Sequence, residues 1–165
     1  MGWLLSARRG AAAVILRYTS CPVNSPIPGL SGAKVVPRPL LAVLVSGPAG
    51  SRLRDGVLDT GADETLLDPS VAPLIGVDLN QAFVRNVNLV GRGRIHCRYA
   101  PVTLCITDGL AERYEWDAVV AFAPFPVLRS LLGYAGFLRY FNTDFLTDDE
   151  EIILRPNRYF AGRRS

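Results

Sequence analysis

Apolar positions along this chain recur mostly with the period of two that strands require. Tyr114, Trp116, Ala118, Val120 and Phe122 fall on one face of a strand by strict alternation. Leu40–Ser46 is an aliphatic run closed by Gly47-Pro48, which predicts a buried strand. Gly50–Asp55 reads as a polar turn region, and Gly56-Val57-Leu58 as a second strand ending in a loop around Gly61. Asp68 before Pro69 predicts a short helix capped by Asp68 and closed by Gly76. Phe83–Val90 and Ile95–Ile106 predict two long strands joined by Gly91-Arg92-Gly93-Arg94, where two glycines supply the positive φ of a hairpin. After the Pro-rich loop Ala123–Ser130 come Leu131-Leu132-Gly133, then Phe137, Leu138 and Phe141 at helical spacing. Phe141–Leu146 and Glu151–Arg155 flank the acidic turn Thr147–Glu150 as a closing hairpin.

The N-terminal part reads differently. Residues 20–39 hold five prolines with Ser, Gly and Asn between them, which predicts an extended or irregular lead-in. Residues 1–19 form a short helix around Ala11–Tyr18 or fray. The expected division is a basic, Pro-rich segment over 1–37, a globular domain over 38–157, and a basic tail over 158–165.

Composition narrows the function. At 165 residues, with 49% hydrophobic and 20% charged residues, the chain is long enough for one self-sufficient core. No apolar run reaches the ~18 residues of a membrane span. Five of the eighteen basic residues and no acid lie in residues 1–38. The remaining thirteen basic residues face fifteen acidic ones, so the domain is not a basic nucleic-acid binder. Three cysteines (Cys21, Cys97, Cys105) without a CxxC pair predict buried or idle thiols. The apolar run Ala11–Leu16 is too short for a secretory core, which leads to an expected cytoplasmic location. A lone His96, expected on a solvated strand, leaves few routes to a His-dependent triad, and neither a metal nor a cofactor is implied.

The segment richest in chemistry is Val57-Leu58-Asp59-Thr60-Gly61-Ala62-Asp63-Glu64-Thr65. An Asp at the end of an apolar strand, followed by Thr-Gly, resembles the active-site loop of the aspartic peptidases. With Ala62, Asp63 and Thr65 it resembles the retroviral-type (retropepsin-like) branch, in which bacterial and cellular members occur. Arg38-Pro39-Leu40 is similar to the entry of that domain, the Gly91–Arg94 hairpin to its flap, and Leu131-Leu132-Gly133 to its hydrophobic-hydrophobic-Gly motif. The resemblance covers about Arg38 to Pro156. It implies a mainly β, closed acid-protease barrel with a flap hairpin and one or two short helices.

The implied chemistry is peptide-bond hydrolysis by carboxylates. Two carboxylates held close share one proton, so one acts as base toward water while the other acts as acid toward the carbonyl. This chain carries a single D-T-G, so the second Asp comes from another copy, and the implied enzyme is a two-fold homodimer. The resemblance assigns catalysis to Asp59, Thr60 and Gly61. It assigns contact with an extended peptide substrate to Ala62, Asp63, Glu64, Gly91, Arg92, Gly93 and Leu131. Arg38 and Asp63 form the implied ion pair between subunits. Two features depart from the family: Tyr134 stands where retroviral members carry Arg, and Arg92 and Arg94 occupy a flap tip that is otherwise small or apolar. The alternative from another class is an inactive dimeric module that binds extended peptides in the same cleft.

Overall fold

The computed structural model describes residues 12–89, 91 and 93–165. Thirteen strands, one short α-helix and two 3-10 turns follow one another along these residues. The strands are β1 (Val14–Arg17), β2 (Thr19–Ile27), β3 (Ala33–Arg38), β4 (Leu40–Gly47), β5 (Gly50–Leu58), β6 (Leu66–Leu67), β7 (Phe83–Leu89), β8 (Gly93–Thr107), β9 (Arg113–Phe122), β10 (Ser130–Leu132), β11 (Phe141–Leu146), β12 (Glu151–Pro156) and β13 (Arg163–Arg164). Helix α1 spans Val71–Leu74. No helix among the described residues is long and apolar enough to cross a membrane.

Six strands close a barrel in the order β9-β6-β10-β5-β4-β8, and β8 pairs back to β9. Closure leaves none of these six strands at an end of the sheet, and β13 and β7 stand at its two ends. The alternation read from the sequence points inward: Tyr114, Trp116, Ala118, Val120 and Phe122 are all buried. Trp116 packs edge-on against Phe137 and Phe141, and its indole N–H donates to the Gly136 carbonyl at 2.9 Å. Phe160, from the C-terminal segment, completes this aromatic cluster against Tyr114, Trp116 and Phe141.

Two expected hairpins form as read. Strands β7 and β8 pair in register from Phe83↔Tyr99 to Leu89↔Gly93, with Gly91 and Gly93 at φ +78° and +69°. Strands β11 and β12 pair from Phe141↔Pro156 to Leu146↔Glu151.

Other expectations give way. Gly50–Asp55 is strand, because β4 and β5 stay in register from Leu40↔Val57 to Gly47↔Gly50 and only Pro48 and Ala49 turn the chain. Asp68 caps no helix. Its Oδ1 accepts the Ser70 N–H at 2.8 Å, forming a local turn, and α1 begins only at Val71. Phe137–Phe141 packs through a single 3-10 turn, Leu138–Tyr140, in place of a longer helix. Where a helix was considered around Ala11–Tyr18, Val14–Arg17 is strand. β-branched Val14 and Ile15 suit an edge, and β1 adds to β12 with Val14 fully buried. Within the Pro-rich lead-in, β2 and β3 form a two-stranded hairpin of their own. The three cysteines are free and buried.

Candidate active site

The site is assembled where β5 runs out. The parallel pairing of β10 with β5, Leu132↔Leu58, carries one step further as the Asp59 N–H donates to the Leu132 carbonyl at 3.2 Å. The chain then turns sharply. The Asp59 carboxylate accepts the Gly61 N–H at 2.9 Å, and the Asp59 carbonyl accepts the Ala62 N–H at 3.2 Å. This pins the carboxylate to its own loop at the mouth of the barrel.

The return of the loop is clamped from below. Tyr134 and Ala135 donate their N–H groups to the carbonyls of Ala62 and Asp63, each at 2.9 Å, and Thr65 donates to Ala135 at 2.9 Å. Such contact requires a residue with no side chain at position 133. A Cβ built on Gly133 would lie 2.4 Å from the Glu64 carbonyl oxygen and 2.7 Å from that of Ala62. The Leu131-Leu132-Gly133 run is therefore the seat on which the Asp59 loop rests. Asp68 steadies the far end: its Oδ2 accepts the Val127 N–H at 2.7 Å, tying the Pro-rich loop to the strand after the site. Burial pushes the Asp68 carboxyl up, but the Ser70 hydroxyl, the N–H groups of Val127 and Ser70, and the Arg54 charge outweigh it and leave its pKa lowered.

Above the loop lies a cleft of about 480 Å³. Asp59, Gly61, Ala62, Asp63, Glu64 and Leu131 line it, together with Arg85–Asn88 of β7. Six of the expected residues are thus brought together under the β7–β8 hairpin. Thr60 is exposed beside them, while Gly91 and Gly93 sit at the hairpin tip and line no part of the cleft. Arg92 lies outside the described residues. Asp63 and Arg38 are both exposed, and no ion pair joins them among the described residues of the chain.

The sequence reading missed the partners of Glu64. Its carboxylate accepts a hydrogen bond from the Arg85 guanidinium on β7 and another from the Tyr99 hydroxyl on β8. Both strands of the hairpin are thereby fastened to the loop that carries Asp59. Burial and then the Glu64 carboxylate push the Tyr99 phenol well above its usual pKa, and the same two causes raise the Cys97 thiol. The available signal was Arg85 on the same face of its strand as Val87, a charge where an apolar residue would continue the pattern.

No family model matches the chain, and no curated protein matches it. Among solved structures, it is similar to a retropepsin-like aspartic protease from Rickettsia conorii, with a TM-score of 0.55 and 15% identity over 93% of this chain and 92% of that one. The fold is that of the retropepsin-like acid proteases: a mainly β molecule built on a closed six-strand barrel.

Proposed function

We propose that the protein is an aspartic endopeptidase in which Asp59 pairs with Asp59 of a second copy across a two-fold axis. The observation that carries this reading is the placement of Asp59. It stands in an Asp-Thr-Gly turn at the floor of a cleft roofed by a hairpin, on the fold of a peptidase class that uses carboxylates.

The mechanism follows from charge. A single exposed carboxylate is a weak base with nothing to protonate a leaving amine. Two carboxylates brought together cannot both ionise cheaply, so they hold one proton between them. The ionised one takes a proton from water as the water attacks the carbonyl, and the protonated one donates to the carbonyl oxygen. The Gly61 N–H on Asp59 Oδ1 keeps the carboxylate oriented toward the cleft. In this reading exposed Thr60 hydrogen-bonds with the partner loop, and exposed Asp63 meets Arg38 of the partner subunit. Ala62, Asp63, Glu64 and Leu131 contact an extended peptide, and the β7–β8 hairpin closes on it with Gly91 and Gly93 as the pliant tip.

Cleavage of casein, blocked by pepstatin and falling more steeply than protein concentration on dilution, tests the dyad and the dimer together. A strictly monomeric species with full specific activity contradicts the shared site. Peptide retention without cleavage would favour the inactive module.

A further inference from the structure

The outer face of the β7–β8 hairpin carries positive charge with no acid beside it. Ile95 and Cys97 are buried, so strand alternation turns Arg94, His96 and Arg98 outward, and all three are exposed. Asn86 and Asn88 stand opposite His96 and Arg94 in the register of the hairpin. Residues 79–107 contain four arginines and no acidic residue. Of these arginines Arg85 pairs with Glu64, whereas Arg94 and Arg98 have no ion-pair partner among the described residues.

Both guanidinium groups are nonetheless held in place, and by neutral oxygens. Arg94 donates through Nη2 and Nε to the Asn86 side-chain oxygen at 2.6 and 3.1 Å, and the Asn86 amide donates to His96 Nδ1 at 2.5 Å. In neutral His96 this leaves Nε2 as the N–H donor. Arg98 donates to the Leu79 carbonyl at 2.6 Å. Side chains fixed in advance lose less entropy on binding, and a neutral acceptor leaves their charge uncompensated. Guanidinium forks match carboxylates in shape and charge. Alternate residues on a strand lie about 7 Å apart. An extended peptide with Asp or Glu at every second position repeats at the same interval, so carboxylates four positions apart reach Arg94 and Arg98 together.

The cleft supplies such a chain. Arg85–Asn88 of β7 line it, and β7 is the end strand of its sheet, so no further strand separates the cleft from the outer face along that edge. A polypeptide leaving the cleft rounds β7 in about three or four extended residues, at ~3.4 Å each.

We infer that the Arg94–His96–Arg98 row on the outer face of the hairpin docks an acidic, extended segment of the polypeptide substrate, outside the cleft. The identity of the occupant rests on the proposed peptidase reading.

The first arm of the test needs no chemistry. A fluorescein-labelled peptide of Glu-Thr repeats is titrated with Asp59→Asn protein and read by anisotropy. Arg94→Gln combined with Arg98→Gln should weaken binding about fivefold, the loss of two exposed ion pairs, while Arg94→Lys combined with Arg98→Lys should keep most of it. Sodium chloride at about 0.5 M, where charges are screened beyond ~4 Å, should remove most of the binding. Binding that is absent, survives the glutamine pair or ignores salt overturns the surface. A lysine pair as weak as the glutamine pair makes the two arginines structural and overturns it as well. A thymidine oligonucleotide of equal charge that binds more tightly than the peptide overturns the acidic polypeptide as occupant. In the second arm wild-type protein cuts a casein-derived peptide with and without a Glu-Thr tail. The tail should lower KM about fivefold and leave kcat unchanged, and the glutamine pair should erase the difference. A tail without effect on KM overturns the substrate as occupant. Casein left uncut refutes the peptidase reading, and the anisotropy arm then decides the surface alone.

Discussion

Replacing Gly133 by alanine drives a methyl group into backbone on both sides. The new Cβ would stand 2.4 Å from the Glu64 carbonyl oxygen, 2.6 Å from its carbon and 2.7 Å from the Ala62 oxygen. Ordinary contact lies near ~3.4 Å, so the loop and its seat must separate by roughly 1 Å. None of the three atoms is the end of a flexible side chain. The separation strains the bonds from Tyr134 to Ala62 and from Ala135 to Asp63, both 2.9 Å. Overpacking costs about 1–3 kcal/mol, and each strained hydrogen bond adds up to about 1 kcal/mol. The expected loss is therefore about 3 kcal/mol, which in a chain of this size lowers Tm by roughly 6–12 °C. The chemistry suffers separately, because a displacement of ~1 Å in a reacting group costs on the order of a hundredfold in rate. Urea unfolding and peptide cleavage at a temperature where the variant stays folded measure the two effects. Gly29→Ala is the control, since a Cβ there meets nothing within 4 Å. A Gly133→Ala protein within 1 kcal/mol and threefold of wild-type activity would refute the seat. The stated limits are about a third of the expected stability loss and a small part of the expected rate loss.

Two further predictions follow from groups around the site. Asp68→Ala should cost about 1–2 kcal/mol by freeing the Val127 and Ser70 N–H groups. Because the folded pKa of Asp68 is lowered, its stabilisation is fully present above the ordinary value of 3.8 and is lost as pH falls below it. The gap between wild type and variant in urea titrations should therefore close in that acid range, and a gap independent of pH down to full protonation contradicts the assignment. Glu64→Gln should bring the Tyr99 phenol back toward its ordinary range, since the carboxylate is one of the groups raising it. Ring-labelled tyrosine spectra against pH read this directly, and an unmoved Tyr99 would mean that burial alone sets it.

What the sequence disclosed was what neighbouring residues decide. The Asp59-Thr60-Gly61 turn, the β7–β8 and β11–β12 hairpins and the buried stripe on β9 are written in alternation and glycine placement over short windows. What escaped was decided by partners far along the chain. Arg85 and Tyr99 reach Glu64 across 21 and 35 residues, and no local pattern marks that meeting. Asp68 looked like a helix cap from its neighbours, but Val127, 59 residues away, takes its second oxygen. Val14–Arg17 becomes strand because β12, near the other end of the chain, offers it an edge. Gly50–Asp55 looked like a turn from its polar residues, yet the pairing with β4 carries it straight through.

The central claim is that the Asp59 carboxylate performs the chemistry. Mass spectrometry of casein incubated with wild-type protein and with Asp59→Asn across a range of pH tests it most directly. Asn keeps the shape and the Gly61 N–H contact but removes the shared proton. The account predicts defined fragments with wild type and none with Asp59→Asn, whose circular dichroism and sedimentation match wild type. Fragments from Asp59→Asn at even about a tenth of the wild-type rate, far above what loss of an essential catalytic group allows, would contradict it.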